Sequence, residues 1–261
     1  MNLSSQASPI NNSNQQSAGI SYQFDFARFL EHLVDVALTF TADTVAPSLW
    51  LPAWIPGSYL MREFARNITA VHYEILDSQV VSNDKQINTY RAQKTDKNTW
   101  QLPEARTGQR IRVHYEVYCY DLSVRTAYID QQRLYGNFTS LALAIDGQEQ
   151  QEVEVDLIVP AAFLADKDAS LVRLACGLEA VQAQIDKPQI YTLQADSYHE
   201  LIDHPFEIAE QDSFDFIIQD NSHQTLSHHF YLSGKHSANM GRLQQDVTQI
   251  CQTYLDWLGD A

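Results

Sequence analysis

Three cysteines in 261 residues, Cys119, Cys176 and Cys251, are too few and too widely spaced for a secreted-type disulfide framework or a cysteine metal pair. They read as core thiols. Basic residues are also scarce: 17 Lys and Arg stand against 33 Asp and Glu, for a formal charge of -16. Attraction to nucleic acid or anionic lipid is thereby disfavoured. The acidity serves solubility or the steering of cationic peptide amines, and charge alone does not choose between them. No stretch approaches the run of about 20 apolar residues that a membrane helix needs. The opening Met1 to Ala18 has neither a basic start nor an apolar centre, so it is not read as a signal peptide. The cytoplasm is the expected location.

Catalytic motifs are missing as well. There is no G-x-S-x-G elbow, P-loop or G-x-G-x-x-G, which removes the strongest signals for serine, phosphate-binding and dinucleotide chemistry. Zinc hydrolysis asks for two imidazoles at i and i+4 on a helix, a third ligand and a carboxylate base. His199-Glu200 begins like H-E-x-x-H, but Asp203 fills the fifth position and the next histidine is His204, followed by Pro205. The neighbours His228 and His229 diverge on a strand, and His223 and His236 approach them only through folding that the sequence does not reveal. No metal and no cofactor is assigned to this chain. The acidic pair Asp212 and Asp215 reads as a solvated loop.

What is present is aromatic and alternating. Tyr and Phe number 13 and 11, a composition suited to half-buried pleated strands. Apolar residues recur at every second position in Leu33 to Phe40, in Ile111 to Cys119 and in Val153 to Leu157, each with a wet opposite face. Weaker strand patterns lie near Thr69 to Leu76, Gln86 to Arg91, Thr99 to Leu102, Ile190 to Gln194, Phe214 to Gln219 and Leu226 to Leu232. With no β-helix-β rhythm, the fold class is mainly β, an antiparallel sandwich or saddle of sheets. After Gly234 the period changes: Met240, Leu243, Val247, Ile250, Tyr254 and Trp257 recur at steps of three and four, with Ser237 as the N-cap. The expected organisation is a disordered tail over 1–18, a β domain over 19–219, and over 220–261 a strand and amphipathic helix that open a second domain.

The segment Trp50 to Asn67, WLPAWIPGSYLMREFARN, stands out. Pro52, Pro56 and Gly57 set a stiff turn carrying Trp50, Trp54, Tyr59, Arg62 and Arg66, a composition suited to recognition or to a packed structural corner. This segment resembles the Pro-Gly-Ser-Tyr stretch of the PDZ-containing glycyl aminopeptidases. Arg125-Thr126-Ala127-Tyr128, Leu134-Tyr135-Gly136-Asn137 with Ser140-Leu141, and Leu201 to Ile208 (LIDHPFEI) extend the likeness, as does Tyr231 to His236 followed by the helix. His204 departs from the small residue expected there. The resemblance implies the amino-terminal β domain of a zinc peptidase that has a thermolysin-like catalytic domain, cut short before its metal ligands, and a PDZ domain. It implies release of amino-terminal Gly or Ala from a peptide substrate. Tyr59, Arg62, Arg66 and Asn137 are the expected cleft or interdomain residues. The other reading is a stand-alone β-sandwich module that binds peptide or protein without hydrolysis. The helix stripe also suggests self-association.

Overall fold

The computed structural model describes residues 19–56, 58–76, 88–184, 189–220 and 222–258. The tail expected over 1–18 lies outside them, as does the start of the strand pattern at Gln86. Order along the chain begins with β1 (Ile20–Asp25), β2 (Leu33–Thr41), β3 (Ser48–Trp50), β4 (Ile68–Ile75), β5 (Thr89–Arg91), β6 (Gln93–Asp96), β7 (Thr99–Gln101) and β8 (Arg110–Tyr118). It continues with β9 (Ala127–Ile129), β10 (Arg133–Asn137), β11 (Ala144–Ile145), β12 (Val153–Val159), α1 (Ala161–Leu164), β13 (Val172–Cys176), β14 (Ala180–Gln184) and β15 (Gln189–Ala195). Last come α2 (Tyr198–Asp203), β16 (Pro205–Gln219), β17 (Thr225–Ser233) and α3 (Met240–Leu258).

The largest sheet has eight strands in the order β14-β15-β12-β1-β2-β8-β4-β5. Its longest ladder is the antiparallel pair β2 and β8, in register from Leu33 opposite Tyr118 to Thr41 opposite Arg110. Alternation explains why this pair lies there: Val34, Val36, Leu38, Ile111, Val113, Tyr115 and Val117 turn to the core, and Asp35, Arg112 and Glu116 turn away. One pairing departs from the antiparallel expectation. β1 runs parallel to β12, Ile20 opposite Val153 through Asp25 opposite Ile158, and antiparallel to β2. A four-stranded sheet, β11-β3-β7-β6, and a sheet ordered β13-β16-β10-β9 complete the mainly β architecture, with β17 added to β16.

The core is organised around a segment that runs from a 3-10 turn, Phe138–Ser140, to β11. Every residue from Phe138 to Ile145 is buried, so its backbone polar groups must find partners inside the protein. Three tyrosines supply them. Tyr22 donates its hydroxyl to Leu143 O (2.6 Å), Tyr115 to Leu141 O (2.8 Å) and Tyr198 to Ala142 O (2.9 Å), and Leu143 N donates to the Tyr115 oxygen (3.2 Å). Burial raises the pKa of all three hydroxyls, which keeps them protonated as donors. An aromatic array adjoins them: Phe138 lies 5.4 Å from Phe24 and 5.0 Å from Phe206, and Phe206 lies 5.9 Å from Phe26.

β16 serves two layers. Its first part, Pro205 to Glu210, pairs with β10 and β13, and its second part, Gln211 to Gln219, pairs with β17 from Ser233 to Thr225. The chain passes from the sheet to the β16–β17 hairpin within one strand. α3 lies along the hairpin half of β16: Gln244 Nε2 donates to Asp215 O (2.8 Å), and Gln252 exchanges bonds with Gln219 (3.0 and 2.7 Å). Its N-cap is Asn239, whose Oδ1 accepts from Arg242 N (3.1 Å), two residues beyond the expected Ser237. The expected single apolar stripe also divides. Leu243, Val247, Cys251 and Leu255 are half-buried, while Ile250, Tyr254, Trp257 and Leu258 stand exposed, Trp257 at 80%.

Candidate functional site

The Trp50 to Asn67 segment leaves the edge of β3 and returns to β4 through a single 3-10 turn, Phe64–Asn67. Of the expected Pro56 to Tyr59 turn, Gly57 lies outside the described residues. Around it, Ser58 N donates to Ile55 O (3.1 Å), which closes a four-residue turn with Pro56 at its second position. Ser58 is the hub of the loop. Its carbonyl accepts from Trp54 Nε1 (2.7 Å), its hydroxyl donates to Leu60 O (2.9 Å), and the same hydroxyl accepts from Arg62 Nε (3.4 Å). Arg62 N donates to Ala53 O (2.6 Å) across the neck.

This wiring holds the tip outward. Tyr59 is fully exposed at 102%, and Leu60 and Met61 are exposed beside it. Phe64 and Ala65, immediately after, are buried and anchor the loop. Glu63 adopts a left-handed backbone (φ 30°), which reverses the chain between the exposed tip and that anchor, and its carboxylate meets Lys97 Nζ at 3.1 Å. Arg62 is half-buried and Arg66 exposed, and among the described residues neither has a carboxylate within ion-pair distance. Trp50 behaves as a corner residue: it packs against Tyr198 (5.8 Å) and donates to Glu149 Oε1 (3.2 Å). The tip is thus built rigidly but does not pack on its own domain.

Asn137 occupies a different place. It ends β10, its Oδ1 accepts from Thr139 N (3.0 Å) as the cap of the Phe138–Ser140 turn, and its Nδ2 donates to Val124 O (3.3 Å). Tyr135 on the same face of β10 donates to Val124 O (2.7 Å), and burial with the nearby Glu207 charge raises its pKa. Among the described residues no hydrogen bond or ion pair joins Asn137 to Tyr59, Arg62 or Arg66. Tyr59, Arg62 and Arg66 lie on the β3–β4 loop, and Asn137 lies at the end of β10.

The other segments singled out in the sequence have packing roles. A Cβ on Gly136 would lie 2.6 Å from Leu141 Cδ1 and 2.7 Å from two ring carbons of Phe206, so only glycine admits that aromatic array. His204, where a small residue was expected, is accommodated by Gly177: a Cβ there would meet the His204 ring at 2.5 Å. Ser197 and Glu200 form a helix-start motif. Ser197 Oγ accepts from Glu200 N (3.1 Å), and Glu200 Oε2 accepts from Asp196 N (2.5 Å). The His199-Glu200 pair is therefore part of α2, not of a zinc helix.

The remaining histidines are dispersed. His228 stacks on Phe216 (4.9 Å), while His229 meets Asp215 (2.7 Å) on the opposite face of the hairpin, and His236 Nε2 meets Asp212 (3.0 Å). Among the described residues no group of three His, Cys, Asp or Glu side chains is placed to hold a metal ion. These residues do not fit a zinc centre. Cys119 is buried, which pushes its thiol pKa up, and Cys176 and Cys251 are half-buried. No helix among the described residues is long and apolar enough to cross a membrane.

The fold is a β domain of three sheets that runs through one long strand into a hairpin and a helix. Residues 21–210 match the Peptidase M61 N-terminal domain, and the chain belongs to that family. The match ends at the residue before β16 turns from β10 and β13 to β17. Among solved structures, the chain is similar to an aminopeptidase N family protein from Idiomarina loihiensis, with 35% identity and a TM-score of 0.74, over 90% of this chain and 36% of that one. An M1 zinc metallopeptidase from Deinococcus radiodurans aligns at 14% identity and a TM-score of 0.46, over 93% of this chain and 54% of that one. Legionella pneumophila aminopeptidase A aligns at 9% and 0.48, over 82% and 23%. The chain thus spans about a third of the length of its Idiomarina relative. No curated protein sequence matches it.

Proposed function

We propose that this chain is the amino-terminal part of a zinc-dependent aminopeptidase that releases Gly or Ala from peptides, and that its β domain is one wall of the substrate cleft. The observation that carries this reading is the family match over 21–210 together with 35% identity to an aminopeptidase N family protein. In this reading β17 and α3 begin a thermolysin-like domain, with the boundary near residue 220, and a PDZ domain lies elsewhere in the protein. Zinc belongs to residues of that further part. Tyr59 at the outward tip, with Arg62 and Arg66 on the same loop, meets the catalytic domain or substrate, a role that suits a loop preorganised by Ser58. Asn137 lines the cleft from the end of β10. The cytoplasm is the proposed compartment, and three thiols with no disulfide among the described residues suit it.

The experiment is to express the reading frame through and beyond Ala261 and assay it on glycyl and alanyl chromogenic substrates. Turnover that a chelator abolishes and zinc restores is expected, with KM or kcat impaired in Tyr59→Ala and Asn137→Ala proteins that keep their melting temperature. A frame without zinc ligands, or one that binds peptide without turnover, would favour the stand-alone module.

A further inference from the structure

A cavity of about 790 Å³ lies between β4 and β5 of the eight-stranded sheet and β6 of the four-stranded one. Its apolar wall is formed by Ile68, Val71, Ala92 and Trp100, all buried. A bulge in β4 shapes it. Thr69 pairs with Glu116 and His72 with His114, so Ala70 and Val71 together oppose Tyr115, and Ala70 takes a left-handed backbone (φ 53°). A bulge bends its strand, and a non-glycine residue in that region is held there by its surroundings. Val71 O accepts from Ala92 N (3.2 Å), which ties the bulge to the junction of β5 and β6.

The charge of this cavity is the reverse of the chain's. Acidic residues outnumber basic ones by 33 to 17 in the sequence, yet among the described residues no carboxylate lines the cavity, whereas Arg91 and Lys94 do. Both cations are exposed, and neither has an ion-pair partner among the described residues. Lys94 Nζ rests 4.7 Å from the Trp100 ring centroid, a contact that positions the ammonium without cancelling its charge. The two strands that carry these cations are sheet edges. Among the described residues β5 pairs only with β4, and β6 only with β7, so each keeps one backbone edge without a strand partner.

We propose that this cavity binds the carboxyl-terminal end of a peptide whose last residue is apolar. The terminal carboxylate accepts from Arg91 and Lys94, the last side chain lies against the apolar wall, and the peptide backbone pairs with an open edge of β5 or β6. Each part of the site thus has a matching part of the ligand. A free apolar acid would leave the strand edges unused, and an inorganic anion would leave the apolar wall uncovered as well. The inference rests on this cavity alone and stands or falls separately from the aminopeptidase reading.

The test is an amide NMR titration of the isotope-labelled 261-residue protein with acetyl-alanyl-leucine. Its carboxamide, acetyl-alanyl-glycine and 3-methylbutanoate remove in turn the carboxylate, the apolar side chain and the peptide backbone. Saturable shifts at the amides of Val71, His72, Arg91, Ala92 and Lys94 and at the Trp100 indole are expected with acetyl-alanyl-leucine, with millimolar affinity and binding about tenfold weaker for each of the other three. Arg91→Gln and Lys94→Gln should each weaken that binding about tenfold, while Lys235→Gln, at an exposed lysine outside the cavity, should leave it unchanged. Both cavity cations are exposed, so unchanged melting temperatures are expected for their variants. No shift at these positions, equal binding of the carboxamide, or equal weakening by Lys235→Gln would overturn the proposal. Binding of 3-methylbutanoate as tight as that of the dipeptide would overturn the peptide as occupant.

Discussion

Replacing Gly136 by alanine tests whether the β10 segment is fixed by packing against the buried aromatics. The backbone there lies outside the left-handed region, so the perturbation is steric. The new methyl would meet Leu141 Cδ1 at 2.6 Å and Phe206 at 2.7 Å, and Phe206 is hemmed in by Phe138 and Phe26. Overpacking of this kind costs about 1–3 kcal/mol, and with two side chains displaced the upper part of that range applies. Alanine regains about 0.5–1 kcal/mol over glycine in a strand. The net loss is about 2 kcal/mol, which for a chain of this size lowers the melting temperature by about 4–8 °C. Differential scanning calorimetry reads this directly. Gly19→Ala, with nothing within 4 Å of its Cβ, is the control and should change stability by less than about 0.5 kcal/mol. If Gly136→Ala behaves like the control, the aromatic array is looser than described and Asn137 is not held by it.

Tyr115→Phe removes the partner of both Leu141 O and Leu143 N, and urea unfolding should show a loss of about 1–3 kcal/mol with an unchanged m-value. His114, on the outer face of β8 with Glu74, His72 and Arg112 around it, has its pKa lowered chiefly by desolvation. The unfolded chain then binds a proton that the folded one resists, so stability falls as pH drops below about 7, through the ordinary His pKa near 6.5. His114→Gln should flatten that slope in thermal melts across pH. The exposed Ile250, Tyr254 and Trp257 of α3 each forgo about 1.5–3 kcal/mol of burial, so the 261-residue chain should self-associate. Light scattering over a concentration series reports it, and a Tyr254→Ser/Trp257→Ser double variant should be monomeric. A parent chain monomeric throughout would remove the second copy as the cover for that stripe.

The long strands were legible because burial on one face imposes a period of two: β2, β8 and β12 appear where Leu33 to Phe40, Ile111 to Cys119 and Val153 to Leu157 alternate. Strands β9, β10 and β11 run for three, five and two residues, too short for a period to declare itself. α2 was signalled by Ser197 and Glu200 at capping spacing, a sign hidden by its likeness to half a zinc motif. The division of the α3 stripe followed from tertiary contact: helical spacing identifies an apolar face, but β16 covers only part of it. The polar network of Gln211, Glu207, Arg133 and Ser233 gave no warning. Gln211 sits between Glu210 and Asp212 as in an exposed strand, and the other three stand beside apolar neighbours in half-buried positions that only the pairing of β16 with β10 and β17 brings together. The Trp50 to Asn67 segment was visible as a stiff loop, whereas the outward placement of Tyr59 depends on the Ser58 hydrogen bonds.

The central claim is that this domain works as one wall of an aminopeptidase cleft and carries none of its catalytic metal. Its most direct test measures zinc content and glycyl-substrate turnover side by side, on the 261-residue chain and on the protein encoded by the frame continued past Ala261. The account predicts no stoichiometric zinc and no turnover for the first, and zinc-restorable turnover for the second. One tightly bound zinc in the 261-residue chain, or turnover by it alone, would contradict the account.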